Sequence, residues 1–198
     1  ARDLNIVIID ALNPFGHEQI IPRGMLREPL EGLKRANMIL LSHVDQCSRD
    51  KVVVITNRLR EITGDVPVVE TVHKPICLES ARDKTKLDIH RLRGKRVFVF
   101  CAIGNPVSFR KSIENLGAEL AGFRVFPDHH VYTLSELQEM NAAAQGMKPD
   151  AIVITQKDRV KIGNNLSIWD FPLWTLKIEV RIVNGYEIFE NKINAILN

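Results

Sequence analysis

The residues best suited to acid–base chemistry lie in one polar run, Phe126-Pro127-Asp128-His129-His130. The run follows a predicted strand and precedes a predicted helix, and loops at the carboxyl ends of parallel strands are where α/β proteins bind ligands. A neutral imidazole with a carboxylate partner is a good general base near neutral pH. The pattern therefore predicts catalytic roles for His129 and Asp128, with a purely structural turn as the open alternative. Two adjacent histidines point to opposite faces of an extended chain, which disfavours a shared metal site.

Two further charged runs stand where predicted elements meet. Arg27 and Glu28 precede Pro29 at a predicted helix start, where the guanidinium suits a phosphate and the carboxylate suits a cation or an arginine. Lys157 and Asp158 follow another predicted strand, where the lysine suits a substrate phosphate. For both runs a simple ion pair stays the open alternative.

The sequence carries no recognisable phosphate-binding loop. The pattern G-x-x-x-x-G-K-[ST], which wraps phosphates in backbone N–H groups, does not occur in the 198 residues. The Gly94-Lys95 pair is followed by Arg96, and Ile89 stands where the pattern requires its first glycine. The patterns G-x-G-x-x-G and H-E-x-x-H are absent as well, so the residues themselves leave any metal ligands unknown.

The elements that must position these residues alternate along the chain. The predicted strands are β-branched apolar runs: Leu4–Asp10, Met38–Leu41, Val66–Val72, Arg96–Ala102, Glu119–Phe126, Ala151–Thr155 and Leu176–Val183. The predicted helices are Arg27–Ala36, Val52–Ile62, Val107–Leu116, a helix capped by Thr133 and Glu136, and Tyr186–Leu197. Alternating strands and helices predict an α/β protein with mostly parallel sheet.

Composition limits the class of protein further. Apolar residues make up 45% of the chain, enough for a buried core, and a net charge of +3 is too small to indicate nucleic acid binding. The charge is uneven, because residues 81–96 hold seven basic and two acidic residues. This basic segment is either a solvated connector or a surface for anionic lipid or phosphate. The three cysteines form no CxxC pair, which predicts neither a disulfide framework nor a zinc site.

Six motifs in order make the sequence similar to the lipid A 4′-kinase (tetraacyldisaccharide 4′-kinase) family. The matching runs are Arg2-Asp3-Leu4 with the strand to Asp10-Ala11; Asn13-Pro14-Phe15-Gly16; Pro22-x-Gly24-x-Leu26-Arg27-Glu28-Pro29; Gly104-x-Pro106-x-x-Phe109; Phe126-Pro127-Asp128-His129-His130-x-Tyr132-Thr133; and Thr155-x-Lys157-Asp158. Their order and spacing agree with the family over almost the whole chain. One departure is visible, since Gln156 stands where the family often has Glu.

The resemblance implies transfer of the ATP γ-phosphate to the 4′-hydroxyl of tetraacyldisaccharide 1-phosphate, with Mg²⁺, at the cytoplasmic face of the bacterial inner membrane. It implies that His129 is the catalytic histidine, working with an aspartate outside this sequence, and that Arg27 and Glu28 line the nucleotide side of the site. Asp128, Lys157 and Asp158 match motif positions, and we expect the last two on the substrate side. The main magnesium ligands are expected in an N-terminal part that this sequence does not contain.

The resemblance also implies a domain organisation. We expect residues 1–72 to be the remnant of a P-loop-type nucleotide-binding domain, residues 73–95 to be a linker, and residues 96–198 to form a smaller Rossmann-like α/β domain. The chain would then be a fragment with little activity of its own. The alternative is a non-catalytic Rossmann-like module that binds a phosphorylated glycolipid through the basic segment.

Overall fold

The computed structural model describes residues 3–197, so Arg2 of the first motif lies outside the described residues together with Ala1 and Asn198. The α/β class with mostly parallel strands is confirmed. The strands are β1 (Ile6–Asp10), β2 (Met38–Ser42), β3 (Val68–Ser80), β4 (Lys86–Leu87), β5 (Arg96–Cys101), β6 (Glu119–Val125), β7 (Ala151–Thr155) and β8 (Leu173–Asn184).

Helices connect most of these strands. The α-helices are α1 (Arg49–Thr63), α2 (Pro106–Asn115), α3 (Leu134–Met147), α4 (Gln156–Ile162) and α5 (Tyr186–Leu197). Short 3-10 helices occupy Gly16–Glu18, Leu30–Arg35, Val44–Gln46 and Ile89–Leu92. Among residues 3–197, no helix combines the length and the apolar character that crossing a bilayer requires.

The first of two compact units comprises residues 1–74 and 180–198. In it β1 runs parallel to β2, and β2 runs parallel to the start of β3. The apolar stripe of α1 (Val52, Ile55 and Leu59) is buried in a cluster with Ile9 and Leu41 from the sheet. Because β1 and β2 are parallel and Asp10 is paired with Ser42, the carboxyl ends of these two strands lie at one edge of this unit.

The second unit comprises residues 75–179. Its parallel strands lie in the order β8, β7, β5, β6, and β4 pairs antiparallel with the end of β3. The central strand β5 is buried almost throughout, with Phe98 and Phe100 facing one core cluster and Val97 and Val99 facing the other. The loops after β5, β6 and β7 therefore share one edge, which is where the Asp128-His129 run lies.

The contacts group the residues differently from the predicted division. The predicted linker 73–95 carries the end of β3, the strand β4 and the 3-10 helix Ile89–Leu92, and it belongs to the second unit from Pro75 onwards. Leu78 and Leu92 in this segment are fully buried. The burial of these apolar side chains stabilises the packed position of the segment, although the segment also carries many charged residues. Residues 180–198 group with the first unit.

The helix predicted over Arg27–Ala36 is wrong in type and extent, since only Leu30–Arg35 is helical and its geometry is 3-10. Pro29 provides the physical reason, because the residue before a proline is disfavoured in helical geometry. Gly32 inside the segment weakens it further. Arg27 and Glu28 therefore lie in a bent loop before this 3-10 segment rather than within a helix.

Candidate functional site

His129 occupies the tip of a tight turn that follows β6. The turn is closed by the His130 N–H, which donates to the carbonyl oxygen of Pro127 at 3.1 Å. His129 itself has a left-handed φ of 63°, a conformation that non-glycine residues adopt at a cost and that clusters at functional sites. Its side chain is 88% exposed. The imidazole is therefore presented to solvent by a backbone that is held in place locally.

Asp128 supports this turn from within. Its Oδ1 accepts a hydrogen bond from the His129 N–H at 3.0 Å, and its Oδ2 lies 3.5 Å from the His129 Nε2. A β-carbon added to Gly104 would lie 3.3 Å from the Asp128 Oδ2, so the glycine after β5 allows the carboxylate to approach closely. The structure thus keeps Asp128 beside His129.

The residues on either side of the turn pack rather than react. The His130 ring stacks on Phe126 with centroids 5.0 Å apart, and its Nε2 lies 3.0 Å from the Oε1 of Glu136. Glu136 completes the predicted capping box with Thr133, which is confirmed. The pKa of the Glu136 carboxyl is lowered, first by the Thr133 backbone N–H and then by the side chains of His130 and Thr133. These contacts leave His129 as the exposed histidine of the pair.

Lys157 and Asp158 occupy the first turn of α4 but differ in exposure. Lys157 is exposed at the same sheet edge, where a phosphate can reach it. Asp158 is fully buried, and its oxygens accept hydrogen bonds from Ala102, Tyr132 and Thr155. Asp158 therefore has no exposed surface with which to contact a substrate directly.

Gln156, the visible departure from the family pattern, has a structural contact. Its Oε1 accepts a hydrogen bond from the N–H of Ile178 in β8 at 3.1 Å. An amide oxygen and a carboxylate oxygen can both accept this bond. The departure therefore leaves the start of α4 fastened to the neighbouring strand.

Arg27 and Glu28 belong to the first unit, and both are exposed. Glu28 forms an ion pair with Arg35 on the surface. A recess of about 500 Å³ lies nearby, lined by residues that include Ile20, Arg23 and Arg58, but neither Arg27 nor Glu28 lines it. The structure thus separates the predicted site residues into two sets, with Asp128, His129, Lys157 and Asp158 in the second unit.

A cluster that the motifs do not single out lies at the carboxyl edge of the first unit. Asp10 ends β1, and its Oδ1 lies 3.1 Å from the Nδ1 of His43, which follows β2. The rings of His43 and His73 meet edge to face with centroids 4.1 Å apart. Burial and the charge of His43 lower the pKa of His73, while Asp10 and Asp45 act in the opposite direction. Polar residues at the ends of strands are the sequence signal that marks Asp10 and His43, whereas His73 lies within β3 and has no such signal.

The side chains present do not make a magnesium site by themselves. Within the described part of the chain, no three His, Cys, Asp or Glu side chains are grouped so that they can hold a metal ion. Mg²⁺ prefers several oxygen ligands in octahedral geometry. We therefore derive no chemical step through a metal from these residues.

Comparisons with known proteins agree with the motifs. A family model described as Tetraacyldisaccharide-1-P 4'-kinase matches residues 1–198. A Tetraacyldisaccharide 4'-kinase of Anaeromyxobacter sp. (strain K) is 34% identical over 198 residues, which is 100% of this chain and 52% of that protein. The enzyme of the same name from Elusimicrobium minutum is 40% identical over 164 residues, covering 83% of this chain and 43% of that protein.

A solved structure agrees with the fold. The crystal structure of LpxK from Aquifex aeolicus in complex with ATP aligns with a TM-score of 0.63 and 23% identity, covering 100% of this chain and 54% of that chain. This chain thus spans about half the length of the curated relatives that it matches. Because the family model covers all 198 residues, the chain belongs to the tetraacyldisaccharide-1-P 4'-kinase family.

Proposed function

We propose that this chain forms part of a kinase that transfers the γ-phosphate of ATP to the 4′-hydroxyl of tetraacyldisaccharide 1-phosphate. The observation that carries the proposal is the exposed imidazole of His129, held on a left-handed turn beside Asp128 at the carboxyl edge of a parallel sheet. The names of the relatives support the lipid substrate, and the ATP complex of the Aquifex aeolicus structure supports the nucleotide.

The proposed role of His129 is to accept a proton. The 4′-oxygen attacks the γ-phosphorus, a new oxygen–phosphorus bond forms, and the bond to the leaving ADP breaks. The imidazole takes the hydroxyl proton as this happens, together with an aspartate supplied from outside these residues. Asp128 acts on the same step by orienting the turn, since its Oδ1 accepts from the His129 N–H.

The remaining site residues have proposed roles in charge recognition. Arg27 and Glu28 serve the nucleotide side, where an exposed guanidinium suits a phosphate. Lys157 serves the phosphate of the lipid substrate. Because the 198 residues contain no G-x-x-x-x-G-K-[ST] pattern, we propose that the loop for the ATP phosphates and the magnesium ligands lie in another segment, and that these residues alone have little activity.

The direct test is phosphate transfer to the disaccharide by the longer reading frame that contains this chain. We expect activity in a protein that also carries a P-loop, and we expect His129→Ala to lower kcat by roughly a hundredfold or more. His90→Ala is the matched control, because His90 is an exposed histidine of the same unit. A P-loop-bearing chain without transfer activity, or a His129→Ala variant as active as the control, would contradict the proposal.

A membrane partner is the second part of the proposal, and the basic segment supports it. Lys95 and Arg96 are engaged with Asp150 and Glu119, whereas Lys84, Lys86, Arg91 and Arg93 are exposed. Each exposed cation near an anionic surface contributes about 1 kcal/mol of attraction. We propose that these four side chains face the cytoplasmic leaflet of the inner membrane, with the protein bound peripherally.

The same four cations also support the alternative proposal, that the chain is a non-catalytic module that binds phosphorylated glycolipid. Vesicles containing anionic lipid measure the binding, and the four cations are changed together to glutamine. The control changes four exposed cations elsewhere: Arg23, Arg60, Lys111 and Lys148. If changing the four cations of the basic segment leaves as much vesicle binding as changing the four control cations, the segment has no role in lipid binding. Phosphate transfer by the longer protein would rule out a non-catalytic module.

A further inference from the structure

Asp158 is the most fully enclosed carboxylate of the second unit's candidate site. Its Oδ1 accepts from the N–H of Ala102 and from the hydroxyl of Tyr132, each at 2.9 Å, and its Oδ2 accepts from the Thr155 hydroxyl at 2.5 Å. The Lys161 Nζ lies 3.9 Å from Oδ1. A buried charge persists only when it is paired and hydrogen-bonded, and here both conditions are met.

These partners come from three separate loops. Ala102 follows β5, Tyr132 follows β6, and Thr155 ends β7, so one carboxylate joins the loops after three neighbouring strands. Lys161 adds a further tie by donating to the carbonyl oxygen of Ala102 at 2.7 Å. Asp158 therefore holds together the loops at the carboxyl edge of the sheet. It can do this without touching a substrate.

Tyr132 carries this constraint to the turn that presents His129. The segment between Phe126 and Tyr132 is anchored at both ends: the Phe126 N–H donates to the Cys101 carbonyl oxygen at 2.9 Å, and the Tyr132 ring is buried edge to face against Phe126 and Phe100. Burial and the charge of Asp158 raise the pKa of Tyr132, so its hydroxyl stays protonated and keeps donating.

We propose that Asp158 is a positioning residue for His129, acting through the hydroxyl of Tyr132 to hold the left-handed turn in its observed geometry. The backbone of His129, with its φ of 63°, is in an unfavourable conformation for a residue with a β-carbon. Such a geometry persists only where the surrounding structure holds it in place. The catalytic part of this inference rests on the proposed function. The structural part, the hold on the turn, does not.

The exchange rate of the His130 amide, whose N–H closes the turn, measures directly how firmly the turn is held. In Tyr132→Phe, which removes the hydroxyl and keeps the ring, we expect the His130 amide to exchange with solvent at least about fivefold faster, the factor for one ordinary hydrogen bond. The Leu116 amide at the far end of α2, bonded to Ser112, should exchange at its original rate. Tyr186→Phe is the matched control, because Tyr186 is the other tyrosine of the sequence and is 58% exposed.

Kinetics of the longer protein separate positioning from general destabilisation. We expect Tyr132→Phe to lower kcat about tenfold or more, as a slightly misplaced catalytic group does, while KM for ATP changes less than about twofold. An unchanged His130 exchange rate, or a KM that rises while kcat is kept, would overturn the inference. If the longer wild-type protein shows no transfer at all, the proposed function fails, and amide exchange alone decides the positioning role.

Asp158→Asn is the second variant, and it tests the link between Asp158 and the turn even if Tyr132→Phe does not fold. The amide weakens the acceptor for Tyr132 without changing the side-chain volume, so we expect faster His130 exchange than in the wild type. Because the two residues act in series, the double variant should exchange like Tyr132→Phe and not show the product of both effects. Independent, multiplying effects would contradict the link through Tyr132.

Discussion

His129 has a backbone conformation that most side chains avoid, and this makes a prediction about stability. At a φ of 63° a β-carbon is unfavourable and glycine is not. We expect His129→Gly to be more stable than His129→Ala by about 1 kcal/mol, measured by urea denaturation.

The control for this prediction is Val131, two residues further on, where φ is not positive. There the glycine variant should be no more stable than the alanine variant, because glycine loses more chain entropy on folding. Equal stabilities of the two His129 variants would mean that the turn relaxes in solution.

His73 gives a second prediction at the scale of one residue. Its pKa is lowered from the usual 6.5 by burial and by His43, so the folded state favours the neutral ring. The unfolded chain then binds more protons below about pH 6.5, and stability falls as the pH drops through that value towards the lower folded pKa. His73→Gln should lose less stability between pH 7.5 and pH 5.5 than the wild type.

Unfolding by urea at several pH values measures this difference. His90→Gln, at an exposed position of the second unit, is the control and should keep the wild-type pH dependence. An identical pH dependence in His73→Gln would show that His73 does not contribute to the loss of stability in acid.

At the scale of elements, the start of α3 depends on its capping box. The Thr133 hydroxyl accepts from the Glu136 N–H, and the Glu136 carboxylate accepts from the Thr133 N–H. We expect Thr133→Ala to destabilise the protein by about 1 kcal/mol. Ser135→Ala, in the same turn and exposed, should cost clearly less, and equal losses for the two variants would refute the cap. Thermal unfolding measures both.

Some elements of this fold follow from hydrophobic patterns in the sequence, and others do not. β7 and α5 have the predicted bounds, because an apolar run and an amphipathic repeat each define their ends. α4 is missed by periodicity, since its 7 residues are too few for a helical repeat to appear. The T-x-x-D cap of Thr155 and Asp158, analogous to the T-x-x-E cap of α3, is the signal that marks it.

The candidate site divides in the same way. Asp128 and His129 follow from residue type and from their position after a strand, both of which are local properties. The burial of Asp158 is not local, because it depends on Ala102 and Tyr132, which lie 56 and 26 residues away. Side-chain partners at such separations emerge only when the strands are ordered in the sheet.

At the scale of the whole molecule, the two compact units differ in how the chain builds them. Residues 75–179 are continuous and contain their own buried clusters around Phe100 and Val99. We expect this segment, expressed alone, to unfold cooperatively in urea, as an independent domain does. Residues 1–74 alone should not, because residues 180–198 also belong to the first unit.

A direct comparison checks the second half of this prediction. Residues 1–74 joined to 180–198 by a glycine–serine linker should regain a cooperative transition that residues 1–74 lack. A sharp urea transition for residues 1–74 without the addition, followed by circular dichroism, would contradict the division.

The contacts between residues 180–197 and the rest of the first unit have a consequence for synthesis. Asn184 donates to the buried Glu70 at 3.1 Å, and Gly185 lies against Val69. On the ribosome, residue 179 completes the second unit before residues 180–198 complete the first unit. The second unit is therefore complete first, although its residues are translated after residues 1–74. A premature stop codon near position 180 would therefore leave the second unit intact and remove the last residues of the first unit.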